Sequence, residues 1–498
     1  MNRVIVALPV DGRPAVRSQV QTLVASAGWQ LLIPDVAALG HLRTPADRDA
    51  LAQWLLDEGN AADSFVISLD MLVYGGLVPS RFVADTLPAL RRRLALVETL
   101  KARWPDKPVW AFAATMRLSN SDVAEEEKPY WADHGRALWA WSYHGDRAAV
   151  TGDAASAALA QQARERIPAA VRDDYFATRL RNFEVTRSAL RLVRRGLIDR
   201  LVLPQDDTAE WGLNIAERRA LQAEVQAQGL AERVAIYPGA DEVLHTLCAR
   251  LVSRLEGRPP LRVALAPSDP AHVDGLRARY EDRPVLASLA SQLLAVDAVL
   301  ATDDVNADVL LALHTQGSEQ GDWAMGRALP QAVPLAPDWF ARLQNWQHSG
   351  RPWLLADLAY ANGGDPALLA HLGRHGQRGT LPLPQAYAGW NTASNSLGSV
   401  LAQAVLAQGR WSEAPARRAL ALRLLEDGLY QGTLRQVLRN RIDEASASPA
   451  HLLAAVRAAV IAPANAWSAA HDLGYRVADV NLPWGRSFEI ELQLEPEP

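Results

Sequence analysis

Asp206, Asp207 and Glu210 place three carboxylates within five positions, directly after the apolar, β-prone run Leu-Val-Leu at 201–203. Adjacent carboxylates raise each other's affinity for a proton, so one can stay protonated as a general acid while its neighbour stays ionised. Glycoside cleavage requires that division of labour. The competing reading is a solvated loop whose Asp caps the polar helix expected at 214–229. The same layout returns after residues 234–237, where Pro238-Gly239-Ala240-Asp241-Glu242 ends another strand. Asp241 and Glu242 are therefore candidate catalytic groups too, with helix capping as the alternative. His245, on the helix that follows, reads as a satisfied histidine.

Other strand ends carry residues suited to holding a substrate. Asp11 and Arg13 follow the first expected strand, Asp70 and Tyr74 the third, Arg117 and Asn120 the fourth. Each could be a surface turn, and Asp11 with Arg13 an ion pair. Together they fall at one end of a parallel sheet, as a site built from several strands requires. A second stretch, Trp390-Asn391-Thr392-Ala393-Ser394-Asn395, offers a ring face with adjacent amides and hydroxyls, the components of a sugar-binding wall. Asn391 and Asn395 would supply the hydrogen bonds. The alternative is a helix start capped by Asn391 or Thr392 with Trp390 packed beneath. Asn362-Gly363-Gly364-Asp365 reads as a turn at positive φ with Asp365 as a cap, and Asp357 closes the strand before it.

No metal site is assigned. H-E-x-x-H is missing, the eleven His are scattered, and Asp303-x-x-Asn306-x-Asp308 lacks the Gly and terminal Glu of a calcium loop. A divalent ion on Asp206 and Asp207 stays open; no other cofactor is expected. There is no G-x-S-x-G elbow, and the single Cys248 rules out an intrachain disulfide.

The elements that must position these groups alternate between strand and helix. Strands are expected at 3–10, 30–33, 64–69, 108–114, 201–203 and 234–237. Helices are expected between them, including 45–58 with Thr44 as N-cap and one long helix at 87–104. The acid run Glu125-Glu126-Glu127 and an aromatic stretch at 130–143 precede two to three helices. The pattern predicts an α/β fold whose N-terminal parallel domain is either barrel-like or doubly wound. No G-x-G-x-x-G follows the first strand and no P-loop occurs, so nucleotide-binding versions lose support. A boundary near Gly257-Arg258-Pro259-Pro260 divides a first domain, 1–257, from a second α/β region, 258–400. A mostly helical region, 401–498, ends in a strand-like tail.

Hydrophobic content of 49% and charged content of 21% suit a globular chain with a sizeable core. A net charge of -5 argues against general nucleic-acid binding. The N-terminus is too short for a signal peptide, and no apolar run approaches the roughly 20 residues of a spanning helix. A cytoplasmic, soluble protein with a small-molecule or sugar substrate and no membrane partner is expected. Oligomeric state is not legible.

Five stretches carry a resemblance: Val10-Asp11-Gly12-Arg13-Pro14, the run from Ser68 through Asp70 and Gly75-Gly76 to Val78, Gln205-Asp206-Asp207, Pro238-Gly239-Ala240-Asp241-Glu242 and Gly389-Trp390-Asn391-Thr392. With these in order, the chain resembles the bacterial domain-of-unknown-function family 4127 over nearly its whole length. Gly12 stands where the family is expected to carry an acid, which puts a charged role there in doubt. The resemblance implies a shared site and names no reaction. A looser likeness is to barrel glycosidases that cleave N-acetylhexosamines. In that analogy Asp206 assists the acetamido group, Asp207 protonates the leaving oxygen, and Trp390 and Asn391 hold the sugar. The leading expectation is a carbohydrate-active hydrolase. A metal-dependent amide or phosphate hydrolase and a non-catalytic sugar or metabolite binder are the alternatives.

Overall fold

The computed structural model describes residues 3–329, 334–373 and 380–497. They fall into two compact units. The first comprises 3–12, 30–243 and 280–282; the second comprises 13–29, 244–279 and the described residues from 283 on. The helix Val243–Glu256 thus lies almost wholly in the second unit, as does the segment that follows Gly12. The second α/β region and the helical C-terminal region share one core, in which Leu310 and Leu355 cluster with Val456 and Leu492.

In the first unit six strands form one parallel sheet: β1 (Val4–Leu8), β2 (Gln30–Leu32), β3 (Ser64–Ser68), β4 (Val109–Phe112), β5 (Arg200–Gln205) and β6 (Val234–Pro238). Their order is β2-β1-β3-β4-β5-β6. β2 and β6 are free edges, so no barrel is closed and the open-sheet alternative is the one observed. β1, β3 and β4 are buried along their whole length. Covering both faces of a parallel sheet demands such near-continuous apolar runs rather than alternation.

Local chemistry moves several expected boundaries. The helix expected from 45 begins at Arg48, because Asp47, not Thr44, accepts the N–H groups of Asp49 and Ala50, each at 3.0 Å. The long helix expected at 87–104 is two, Leu87–Leu94 and Leu96–Arg103. Leu69, expected to close the third strand, instead opens the helix Leu69–Tyr74. Ser68 caps it by accepting the Met71 N–H at 3.2 Å, and left-handed Gly75 ends it.

In the second unit β7 (Arg262–Pro267), β8 (Val299–Leu300), β9 (Val309–His314), β11 (Trp353–Asp357) and β15 (Ala386–Ala388) form a parallel sheet of order β15-β11-β9-β7-β8. Read from β8, this is the strand order of the first sheet without its sixth strand. The match is topological; no sequence repeat announces it. β10 (Gly321–Asp322) pairs with β12 (Tyr360–Ala361), β13 (Leu372–Gly373) with β14 (Leu381–Pro382), and β16 (Tyr475–Asn481) with β17 (Glu491–Pro496). The helix Pro449–His471 continues through Pro463 and is long and apolar enough to cross a membrane by length and composition, at a mean hydropathy of 1.3. That corrects the expectation that no run approaches such a length. Its stripe Leu452, Val456, Val460 and Ala464 belongs to the core of the second unit.

Candidate active site at the carboxyl edge of the first sheet

All six strands of the first sheet run the same way, so the residues after each lie along one edge. The chain leaves β5 through Gln205, whose amide nitrogen donates to Thr115 Oγ1 at 2.8 Å and to the Leu203 carbonyl at 3.2 Å. Asp206 and Asp207 come next. Asp207 sits at φ +38, a strained conformation for a residue with a side chain. Such strain persists only where surroundings enforce it, and it concentrates at functional sites. Thr208 then anchors the loop by donating its N–H to the Tyr280 carbonyl at 2.9 Å.

Two guanidiniums hold the acid pair. Arg81, with only 1% of its side chain exposed, donates to Asp206 Oδ2 at 3.2 Å and to Glu127 Oε1 at 3.0 Å. It also donates to the Glu126 carbonyl at 2.9 Å. Arg117 donates to Asp207 Oδ2 at 3.2 Å, and to the same Glu127 Oε1 at 2.8 Å; its Nη2 lies 3.1 Å from Glu126 Oε2. One oxygen of Glu127 therefore joins the arginine of Asp206 to the arginine of Asp207. Sequence reasoning had assigned Arg117 to the site but had no role for Arg81, and had read residues 125–127 only as an acid run. The one nearby signal is that Arg81 lies three residues past the end of the stretch Ser68 to Val78.

Burial and the neighbouring Asp207 charge push the Asp206 carboxyl up to about 7, with Asp241 adding to the rise and Arg117 and Arg81 opposing it. Burial also raises Asp207, again against Arg117. Both shifts have the same sign, so each carboxyl keeps its proton to a higher pH than an exposed aspartate does. Asp70, 3% exposed, is lifted by burial to about 7. The Ala114 N–H at 2.8 Å, its own N–H and the Arg81 charge favour its ionised form without overcoming desolvation.

The expected residues divide into groups. Asp70, Arg117, Asp206, Asp207 and Asp241 are linked, directly or through Arg81, in one electrostatic network. Asp11 is buried after β1, three strand steps from β5, or roughly 14 Å at the usual strand spacing. Glu242 is wholly buried and accepts the Ala240 N–H at 2.9 Å, a structural contact within its own turn. Tyr74 is buried, and its hydroxyl pKa is raised by burial and by Asp70. Asn120 is exposed.

Arg13, Trp390, Asn391 and Asn395 belong to the second unit. Arg13 lies over the Trp484 ring at 4.9 Å. Trp390 is 3% exposed and packs against Phe488 with ring centroids 5.9 Å apart, so it presents no open face for a sugar. Thr392 caps the helix Ala393–Ala407, with Asn395 N as donor at 3.4 Å, and Asn395 is buried in that first turn. This is the capping arrangement that the same residue types allowed. Asn391 has φ +63 and accepts the N–H of Asn362, also at φ +63, at 2.9 Å.

The second unit also buries a polar series that the sequence did not reveal as connected. His314 faces Asp365 Oδ2 through Nε2 at 2.9 Å and Ser268 Oγ through Nδ1 at 3.1 Å. Asp365 N donates to Asp357 Oδ2 at 2.7 Å, and the Tyr387 hydroxyl donates to the same oxygen at 3.1 Å. Asp365 caps the short helix Pro366–Leu369, as expected.

Among the described residues, no group of three or more His, Cys, Asp or Glu side chains is arranged to hold a metal ion. The counter-charges beside Asp206 and Asp207 are guanidiniums.

A family model described as "Protein of unknown function (DUF4127)" matches residues 5–493, and the chain belongs to that family. No curated protein and no solved structure matches it.

Proposed function

We propose that this member of the DUF4127 family is a carbohydrate-active hydrolase that works by carboxylate acid–base chemistry, with Asp206 and Asp207 as the working pair. One observation carries the reading: two consecutive carboxylates at a strand end, each held by a different guanidinium at 3.2 Å. A carboxyl raised toward neutrality beside a second carboxylate supplies the acid form that the reaction needs. Asp206, pushed up to about 7, is the proton donor to the leaving oxygen. Asp207, whose ionised form Arg117 favours, takes the proton of the attacking water or supports positive charge at the anomeric carbon. This reverses the roles that the barrel-glycosidase analogy assigned. The open sheet also removes the fold-level basis of that analogy.

The charge balance narrows the substrate. Glu126, Glu127, Asp206 and Asp207 face Arg81 and Arg117, leaving one net negative charge with Asp206 protonated as the donor and two when all are ionised. Such a field repels phosphate esters and tolerates neutral sugars. The test is a panel of neutral aryl glycosides, N-acetylhexosaminides first, incubated with the full chain. Turnover is expected, with Asp206→Asn lowering it by roughly 10²–10⁴-fold, the usual contribution of a positioned general acid. An inert panel, or an Asp206→Asn variant as active as the parent, overturns the proposal.

A further inference from the structure

Glu127 stands out because a buried carboxylate that touches neither Asp206 nor Asp207 reaches both through their arginines. It is 2% exposed, and its Oε1 accepts from Arg81 Nη1 at 3.0 Å and from Arg117 Nε at 2.8 Å. The loop that bears it is itself fixed: Arg81 donates to the Glu126 carbonyl at 2.9 Å, and Arg43 donates to the Glu125 carbonyl at 2.8 Å and to the Ala124 carbonyl. Both guanidiniums are thus shared between an acid pair and a carboxylate on a tethered loop.

We infer that Glu127, seconded by Glu126, is a positioning residue that sets the protonation of the Asp206–Asp207 pair by neutralising part of the two guanidinium charges that face it. The inference rests on the proposed acid–base role of that pair. The charged groups that bear on the pair are Arg81 from the short helix Pro79–Arg81, Arg117, Glu126 and Glu127 from the segment after β4, and Asp241 after β6. Without the Glu127 charge, both guanidiniums would act on the pair less compensated, and the ionised form would gain. Glu126 and Glu127 each favour the protonated form of Asp207, consistent with that sign. A glutamine at 127 keeps an acceptor for both N–H groups and removes only the charge.

The experiment is a carboxyl ¹³C NMR titration of Asp206 and Asp207 in the full chain, without substrate. Glu127→Gln is expected to lower the titration midpoint of the pair by about one pH unit, the scale of a single charge at short range in a partly buried site. Glu127→Asp, which keeps the charge, should restore most of the difference. Exposed Glu125→Gln should leave the midpoint unchanged. Should Glu127→Gln fail to fold, Glu126→Gln must shift the midpoint in the same direction by a smaller amount. An unmoved midpoint in the folded variant, or a rise, overturns the inference. Because the readout needs no turnover, a shifted midpoint in a chain that hydrolyses no glycoside leaves this inference standing while the proposed function falls. Turnover with an unmoved midpoint does the reverse.

Discussion

Asp70→Asn should make the protein more stable at pH 8 and slightly less stable near pH 4. The Asp70 carboxyl is raised from 3.8 to about 7 because it is buried. Below pH 4 it is protonated in both the folded and the unfolded chain, so it contributes no pH dependence. Between about 4 and 7 the unfolded chain releases the proton while the folded chain retains it. The unfolded state then binds fewer protons, and stability falls as pH rises, by up to about 1.4 kcal/mol per pH unit. Above 7 both states are ionised and the deficit levels off at about 4 kcal/mol, an upper bound that local relaxation and water entry reduce. Asparagine carries no charge to bury, so it escapes this loss. It still offers one oxygen to the N–H groups of Ala114 and residue 70, and one weakened hydrogen bond costs about 1 kcal/mol at any pH. The difference between the two pH values is the diagnostic quantity. For a unit of this size, roughly 2–4 °C of Tm accompanies each kcal/mol. Thermal unfolding of the parent and of Asp70→Asn at pH 4 and pH 8 should show the variant gaining Tm over the parent at the higher pH, by at most about 8–16 °C relative to the difference at pH 4. An equal difference at both pH values would refute the argument that burial dominates this carboxyl. So would a variant that loses ground only at pH 8.

Gly239 has φ +123, and a Cβ there would lie 2.2 Å from Glu242 Oε1. Gly239→Ala should therefore destabilise the chain by roughly 1–3 kcal/mol, read as a lower denaturation midpoint; an unchanged midpoint would mean that the turn after β6 yields freely. Cys248 is fully buried, and desolvation raises its thiol. It should resist thiol reagents in the native state and react at once in denaturant; rapid native labelling would place it at an accessible surface.

The strands were legible because each is an apolar run closed by turn chemistry. β1, β3, β5 and β6 lie close to their expected positions. Closure of the sheet was not legible, since a parallel barrel and an open parallel sheet make the same demand for buried strands. Helix ends failed where two capping residues compete, as at Thr44 and Asp47. The helix Pro449–His471 continues through Pro463, a residue type that ordinarily ends a helix. In the site, the acids were legible from type and position. Their partners were not. Arg81 lies 125 positions from Asp206, and Glu127 lies 46 from Arg81, so no local spacing connects them. Trp390 misled because an indole beside amides describes equally well a sugar platform and a packed helix start; only burial separates them.

The two sheets share the order of their first five strands, and both bury acids after their strands; burial lifts Asp357, which closes β11, to about 6, while its neighbour Asp365 goes the other way. In the second unit Asp365 is held below its ordinary range by His314 and by the Ala367 and Gln316 N–H groups, despite its burial. Its oxygens are engaged within the fold, by the helix that it caps and by side chains at hydrogen-bond distance. That is the condition of a structural carboxylate, fixed in one protonation state across the physiological range. In the first unit the arginines oppose the rise of Asp206 without cancelling it, and Asp70 rises to the same region. A fold selected for stability alone would gain by replacing such groups with neutral ones. Asp357 is fully buried, with its oxygen engaged by the Asp365 N–H and the Tyr387 hydroxyl, whereas Asp206 and Asp207 stay partly exposed beside two guanidiniums, and that difference supports the proposal that sets the chemistry there.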